Sequence, residues 1–177
     1  MINLSKSERK ACMPIKDVVQ PNIIQIDDVL RLRKFDGNFD FALEWYQDEE
    51  TVWYVDGDRE LYSKELLEKM YMYWNSVSEV YFIEVYTNGT YQPIGDVSFH
   101  QEDMPIVIGN KSYRGKGIGK KVIQTLIERA KTLGYDKLYI EEIYDFNVAS
   151  QALYMSLGFK KKELVNKGWS YELILSS

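Results

Sequence analysis

The segment Arg114-Gly115-Lys116-Gly117-Ile118-Gly119 is the stretch from which the fold of this chain can be derived. It follows the apolar run Ile106-Val107-Ile108, which predicts a strand, and it precedes a long amphipathic stretch, which predicts a helix. The first N–H groups of a helix have no partner within it, and glycines let the backbone approach a ligand closely. This order of elements predicts an anion site, although a solvated basic loop would have the same composition.

Two common phosphate-binding motifs do not fit this segment. A Walker A loop that began at Gly109 would need a glycine where the chain has Arg114, and it would need serine or threonine after Lys116. A Rossmann fingerprint needs G-x-G-x-x-G, whereas the glycines here stand at 115, 117 and 119. The spacing that fits is R-x-x-G-x-G, formed by Arg114, Gly117 and Gly119, and it resembles the acyl-CoA pyrophosphate loop of the GCN5-related N-acetyltransferases.

A second segment resembles the same family and keeps its order along the chain. An apolar stripe predicts a helix from Ile118 to Leu133 that Gly134 ends, and Lys137–Ile140 is predicted to be a strand. Asn147 is expected to cap another helix, which runs through Leu157 and ends at Gly158. The pattern N-x₆-Y-x₃-G-F in this segment is similar to the second cofactor-binding segment of the family.

The resemblance implies an enzyme that transfers an acetyl group from acetyl-CoA to an amine. It also implies that the cofactor is held by the glycine-rich turn and by the start of the second helix. The residues expected to bind acetyl-CoA are Ile108, Arg114, Gly115, Lys116, Gly117, Ile118, Gly119, Lys120 and Asn147.

Two residues are favoured for proton transfer, Tyr154 as the acid and Asp103 as the base. Tyr154 lies seven residues after Asn147, so both face one side of the helix, and the family places a tyrosine here to protonate the leaving thiolate. A tyrosine packed in the core is the alternative, since the chain has fourteen tyrosines. The candidates for the base are Asp96, His100, Asp103, Glu141 and Glu142. Asp103 is favoured, because the resemblance implies acidic residues near this strand that engage the amine, and its alternative is a turn aspartate.

The acceptor is less determined than the cofactor. The family branch of aminoglycoside 6′-acetyltransferases is the preferred resemblance, because the segment from Trp45 to Tyr54 looks like that branch. Its aromatic and acidic residues could bind a polyamine, and a packed helix–loop with Trp53 in the core is the alternative. Acetylation of a protein N-terminus, as in the ribosomal-protein branch, and a non-catalytic acyl-CoA-binding module are the alternatives. The candidate substrate-binding residues are Trp53, Tyr54, Asp56, Asp96, His100 and Glu142.

Composition excludes several other classes of function. The net charge of −5 disfavours nucleic acid as a partner and weakly favours a cationic substrate. One cysteine and one histidine exclude a cysteine or histidine metal cluster, so no metal is expected. The sequence has no run of about 20 apolar residues, so no membrane partner is expected, and a cytoplasmic location is the default. A homodimer is possible, because domains of this family often pair through their last strands.

The whole pattern predicts one mixed α/β domain at residues 22–177, preceded by an extension at residues 1–21. Its sheet should be twisted and mostly antiparallel, with flanking helices and a parallel pair of strands around the helix after the glycine-rich turn. Asn88-Gly89 predicts a hairpin between two long strands. The stretch Asp48–Asp58 is expected to be a loop or a short helical turn, after a helix at Phe39–Gln47.

Overall fold

The computed structural model of the chain describes residues 13–175. Within this range the strands are β1 (Ile23–Gln25), β2 (Leu30–Lys34), β3 (Glu79–Thr87), β4 (Thr90–Phe99), β5 (Ile106–Ile108), β6 (Lys137–Tyr144), β7 (Lys160–Leu164) and β8 (Gly168–Ile174). The helices are α1 (Leu43–Tyr46), α2 (Glu49–Asp56), α3 (Lys64–Val77), α4 (Ile118–Thr132) and α5 (Val148–Ser156). Short 3₁₀ turns precede α1 at Asp40–Ala42 and follow β5 at Lys111–Tyr113.

The strands form two sheets, one of five strands in the order β1-β2-β3-β4-β5 and one of three in the order β6-β8-β7. The predicted hairpin is confirmed: β3 and β4 pair up to Thr87 and Thr90, and the turn residues Asn88 and Gly89 have φ values of 51° and 82°. Positive φ at both central residues matches the right-handed twist of the two strands, which is why Asn-Gly predicts the turn so well.

The predicted parallel pair of strands is wrong for the described residues. Every ladder within residues 13–175 is antiparallel, and β5 and β6 are edges of different sheets. The sheets meet just before β5, where the Tyr139 N–H donates to the carbonyl of Gln101 at 2.9 Å. No backbone hydrogen bond joins β5 itself to β6 among these residues, so each of the two strands has an unpaired edge.

Apolar side chains cover the five-stranded sheet on both faces. On one face, β-strand residues pack with the buried stripe of α4 and with Tyr154 of α5. On the other face, Phe35, Phe82 and Val80 pack with residues of α1, α2 and α3. One apolar core therefore supports the glycine-rich turn, and a separate core supports the aromatic segment from Trp45 to Tyr54.

The stretch expected to be a loop or a short helical turn is the complete helix α2. Asp48 caps it, because its carboxylate accepts from the Thr51 N–H at 3.0 Å, and Gly57 ends it with φ of 71°. The helix expected at 39–47 is a 3₁₀ turn that continues into α1. Two short helices thus replace one helix and a loop, and they bring the aromatic residues of α2 beside β6.

Part of the predicted extension packs on the domain. Ile15 is buried against the sheet, and the Gln20 side-chain amide donates to the Val80 carbonyl at 2.9 Å. Residues 1–12 of that extension lie outside the described range. Among residues 13–175, no helix has the length and apolar character needed to cross a bilayer.

Candidate active site

The glycine-rich turn joins β5 to α4 and leaves a row of free backbone donors. Gly115 and Gly117 have φ values of 70° and 78°, a region that glycine enters without strain, and Gly117 is the N-cap of α4. The N–H groups from Gly115 to Lys120 have no acceptor among residues 13–175. Nothing lies within 4 Å of where a Cβ would stand at Gly115 or Gly117, so the space in front of these donors is open. This geometry fits a diphosphate.

Two of the cationic side chains near the turn are used to hold it in place. The Arg114 guanidinium donates to the carbonyl of Ile108 at 2.8 Å and to the hydroxyl of Thr51 at 2.9 Å. Lys111 forms ion pairs with Asp48 at 2.8 Å and Glu50 at 2.9 Å. Both side chains therefore fasten the turn to the start of α2, which sequence spacing could not reveal.

The remaining cations near the turn are differently placed. Lys121 pairs with Asp27 at 2.7 Å. Lys116 and Lys120 are exposed, and neither forms an ion pair within the described range. These two lysines, rather than Arg114, are left to supply positive charge to an anion at the start of α4.

Gly119 is the point where the first turn of α4 approaches α5. A Cβ at this position would stand 3.3 Å from Cδ2 of Leu153 and 3.9 Å from Cδ1 of Ile106. Ile118, at the preceding position, is half-buried against the core beside α4. The third glycine of the motif therefore serves the packing of helices, whereas the first two serve the open face of the turn.

Helix α5 carries Asn147 and Tyr154, the two residues predicted to act on the thioester end of the cofactor. The Asn147 side chain caps the helix by accepting from the Ser150 N–H at 3.1 Å, which confirms the predicted start of this helix. Tyr154 is buried, and its hydroxyl donates to the carbonyl of Met104. Met104 lies directly before the point where β5 and β6 separate. The Tyr154 hydroxyl therefore lies where the two sheets are still joined, which is the closed end of the unpaired edges.

Tyr154 is protonated at neutral pH. Burial raises the pKa of its hydroxyl well above the usual 10, and the nearby charge of Asp103 raises it further. A neutral phenol at this point can donate a proton or a hydrogen bond, and it cannot act as a base. The observed hydrogen bond of Tyr154 to the backbone before β5 also fits the alternative of a packed core tyrosine.

Asp103 joins the two sheets at their point of contact. Its Oδ1 accepts from the N–H of Met104 at 3.0 Å and from the N–H of Glu141 at 3.3 Å. Burial raises the pKa of this carboxyl to about 7, and the charge of Glu141 adds to the shift. His100 forms a bridge with Asp103 through the backbone, and its Nδ1 accepts from the Glu102 N–H at 3.2 Å.

An aromatic cluster lies at the end of β6, beside the unpaired edges. Trp53 of α2 stacks on Phe146 with ring centroids 4.4 Å apart, and Phe146 stacks on Tyr144 at 5.2 Å. Tyr54 lies 6.4 Å from Phe146 and is 41% exposed. Asp56 ends the same helix, and burial raises the pKa of its carboxyl. The sequence predicted Trp53 and Tyr54 but not Phe146, whose place opposite α2 depends on the fold.

The last two predicted substrate residues lie in different surroundings. Glu142 accepts from the N–H groups of Asn166 at 3.1 Å and Lys167 at 2.6 Å, so it holds the turn between β7 and β8. Asp96 is buried in β4 with two tyrosine hydroxyls on one oxygen. The structure thus brings Trp53, Tyr54 and Asp56 together and separates them from His100 and Asp103 at the junction of the sheets.

The family comparison agrees with this geometry. A sequence model of the Acetyltransferase (GNAT) family matches residues 39–159, which is more than half of the chain. An uncharacterized protein of Methanocaldococcus jannaschii is 31% identical over 116 residues, which make up 61% of this chain and 24% of that protein. The chain therefore spans about a quarter of the length of that curated relative.

Solved structures of similar fold include proteins that act on different acceptors. A domain from Methanocaldococcus jannaschii has a TM-score of 0.72 at 25% identity and covers 84% of this chain and 100% of its own. Aminoglycoside acetyltransferase AAC(6′)-Ib in complex with coenzyme A has a TM-score of 0.64 at 18% identity. The match covers 82% of this chain and 94% of that enzyme. RimL, a ribosomal L7/L12 α-N-protein acetyltransferase in complex with coenzyme A, has a TM-score of 0.63 at 18% identity. The match covers 86% of this chain and 98% of RimL.

Proposed function

Because the chain belongs to the acetyltransferase (GNAT) family, whose cofactor is acetyl-CoA, we propose that it acetylates a primary amine of a small cationic substrate, with an aminoglycoside as the preferred candidate. The observation that carries the proposal is the row of free N–H groups at Gly115–Lys120, together with Tyr154 at the closed end of the unpaired edges.

The glycine-rich turn is the proposed site of the cofactor diphosphate. Six consecutive N–H groups have no acceptor within residues 13–175, and the space beside Gly115 and Gly117 is open. The positive end of the α4 dipole adds to their attraction for an anion. Lys116 and Lys120 add charge from side chains that have no ion pair within residues 13–175. Arg114 contributes indirectly, since it fixes the backbone of the turn. When bound, acetyl-CoA supplies the activated acetyl group as a thioester.

Tyr154 is the proposed acid for the leaving sulfur. Its raised pKa keeps the hydroxyl protonated, and its position before β5 puts the proton at the closed end of the unpaired edges. A positioned acid typically contributes a factor of about 10²–10⁴ to the rate. A protein that only bound acyl-CoA would not need a proton donor at this position, which favours an enzyme over a binding module.

The aromatic cluster is the proposed entrance for the acceptor. The faces of Trp53 and Tyr54 attract cations, and Asp56 adds negative charge at the same end of α2. A protonated amine is favoured by this combination, and a protein N-terminus is a second candidate because the likeness to RimL is as large as the likeness to AAC(6′)-Ib.

A thiol-release assay tests the proposal. The enzyme is mixed with acetyl-CoA and, separately, with kanamycin, spermidine and a hexapeptide that has a free N-terminal serine, and the product mass is measured. With kanamycin or spermidine, we expect release of free thiol and a product that is one acetyl group heavier. Thiol release with these amines should be faster than with the peptide. Faster turnover of the peptide would favour the N-terminal reaction instead, and no turnover with any amine would contradict the proposed activity.

A further inference from the structure

We propose that Asp96 is the base that takes the ammonium proton of the acceptor, and that Tyr46 and Tyr71 hold its carboxylate in place for this step. The inference rests on the proposed function, because it assigns one step of that reaction. It starts from a buried acid that the sequence offered as a candidate and that the proposed function above does not use.

The carboxylate of Asp96 has one fixed oxygen and one free oxygen. The hydroxyl of Tyr46 donates to Oδ2 at 2.8 Å, and the hydroxyl of Tyr71 donates to the same oxygen at 2.7 Å. Oδ1 has no hydrogen-bond partner within residues 13–175. It is not one of the fully buried polar atoms without a partner in that range, which are Gln20 Oε1 and the Tyr171 hydroxyl, and Asp96 as a whole is 8% exposed. Two donors on one oxygen orient the other, which is what a base needs.

The place of Asp96 in the sheet puts it next to the reaction. It lies in β4 directly opposite Val107 of β5, and the far edge of β5 is the unpaired edge. Its side chain faces α1 and α3, the face on which the aromatic segment lies. The ring of Tyr62 is 5.0 Å from that of Tyr46, and burial together with the nearby Asp56 raises the pKa of the Tyr62 hydroxyl. Tyr46 and Tyr62 thus lie between the carboxylate and the end of α2 that carries Asp56.

Asp103, the residue that the sequence favoured for contact with the amine, is less suited to this step. Its Oδ1 accepts two backbone N–H groups that hold the two sheets together. Movement of this carboxylate would loosen the junction. Asp96 is held by side chains only, so it can gain and lose a proton without a change in backbone pairing.

The groups around Asp96 keep its pKa in a useful range. The titratable groups that face it are Tyr46 from α1, Tyr71 from α3 and Tyr62 from the segment before α3, while β3 and β5 present Phe82 and Val107. Burial raises the pKa of Asp96 to about 6, and the two tyrosine hydrogen bonds oppose the rise. The carboxyl is therefore mostly ionised at pH 7 and still basic enough to accept a proton.

The step balances as follows. The ammonium gives one proton to Oδ1 of Asp96, directly or through one water, and Asp96 later releases it to solvent. The amine nitrogen forms a bond to the acetyl carbon as the carbon–sulfur bond breaks, and the sulfur takes a proton from Tyr154. The second proton of the nitrogen restores Tyr154 through solvent, so one proton is released per turnover.

Steady-state kinetics across pH test the assignment, with whichever of kanamycin, spermidine or the serine peptide the wild-type enzyme acetylates fastest. Asp96→Asn preserves shape and can still accept both tyrosine hydroxyls. We expect its kcat to fall by about 10²–10⁴-fold while the KM for acetyl-CoA changes less than threefold. Ser98→Ala, at a buried polar position two residues along the same strand, is the matched control and should keep wild-type rates.

Tyr71→Phe separates the proton-transfer role from a merely structural one. It removes a hydrogen bond that stabilises the charged carboxylate, so the acid limb of kcat/KM, expected near pH 6 in the wild type, should move to higher pH. An Asp96→Asn enzyme with a near-wild-type kcat, or an acid limb that Tyr71→Phe leaves in place and Asp103→Asn abolishes, would overturn the assignment. If the wild type acetylates no amine, the proposed function fails and the base with it, whereas a working wild type with unchanged variants contradicts the base alone.

Discussion

At the scale of single residues, identical side chains have different roles because of their surroundings. Tyr154 and Tyr71 are both buried tyrosines with raised pKa values. Tyr154 donates to a backbone carbonyl at the junction of the sheets, whereas Tyr71 donates to a carboxylate. Only the position of Tyr154, at the end of the unpaired edges, suits an acid for the leaving sulfur.

Tyr154→Phe should slow the reaction without weakening the binding of acetyl-CoA. The change removes one proton donor and almost no volume, so the apolar contacts of the ring remain. We expect kcat to fall by about 10²–10⁴-fold and the affinity for acetyl-CoA to stay within threefold of the wild type. Pre-steady-state thiol release, which isolates the chemical step, is the measurement. A wild-type rate in that assay would assign Tyr154 to packing.

At the scale of elements, the sequence predicted those whose signals are local. The glycine-rich turn, the hairpin at Asn88-Gly89 and the start of α5 at Asn147 each depend on a few neighbouring residues, and each is where it was predicted. Helix α2 was predicted only as a loop or a short helical turn, although Asp48 and Thr51 form its cap, because acids and aromatics in a short stretch are also typical of a loop.

Other features depend on contacts between distant parts of the chain. The separation of β5 from β6, the stacking of Phe146 on Trp53 and the two tyrosines on Asp96 have no signal in the local sequence. The tie from Arg114 to Thr51 is of the same kind, since it joins residues 63 positions apart. For this reason the glycine-rich turn could be located from the sequence, whereas the contacts of the proposed acceptor side needed the structure.

At the scale of the whole molecule, the buried carboxyls make stability depend on pH. Asp96 has a usual pKa of 3.8 and a folded pKa of about 6, and the pKa of Asp103 is raised to about 7. The folded state therefore binds more protons than the unfolded state from about pH 4 to pH 7. Since burial disfavours the charged form, the stability contributed by the protonated carboxyls is present below pH 4 and is lost as pH rises through the folded pKa values.

Asp96→Asn should remove the part of the pH dependence of folding stability that Asp96 contributes. The amide needs no ionisation, so the variant should gain stability relative to the wild type as pH rises from 4 to 8, by an amount on the order of 2 kcal/mol. Urea unfolding at several pH values measures the difference. A variant that loses stability relative to the wild type at pH 8 would mean that the ionised carboxylate stabilises the fold, contrary to the raised pKa. A gain in stability with a loss of rate is the combination expected of a residue kept for function.

The central claim, that the diphosphate of acetyl-CoA binds at the start of α4, has a matched pair of glycines to test it. Gly117 and Gly134 flank the same helix, with φ values of 78° and 80°, and neither has an atom within 4 Å of an added Cβ. An alanine at either position should cost a similar amount of folding stability, about 1–2 kcal/mol. Only at Gly117 would the new methyl group occupy the space in front of the free N–H groups.

Calorimetric titration of acetyl-CoA into folded Gly117→Ala and Gly134→Ala variants is therefore the most direct measurement. We predict that Gly117→Ala lowers the affinity at least tenfold, which is about 1.4 kcal/mol, and that Gly134→Ala leaves it unchanged. Equal affinities in the two variants and the wild type would contradict the claim and place the cofactor elsewhere on the molecule.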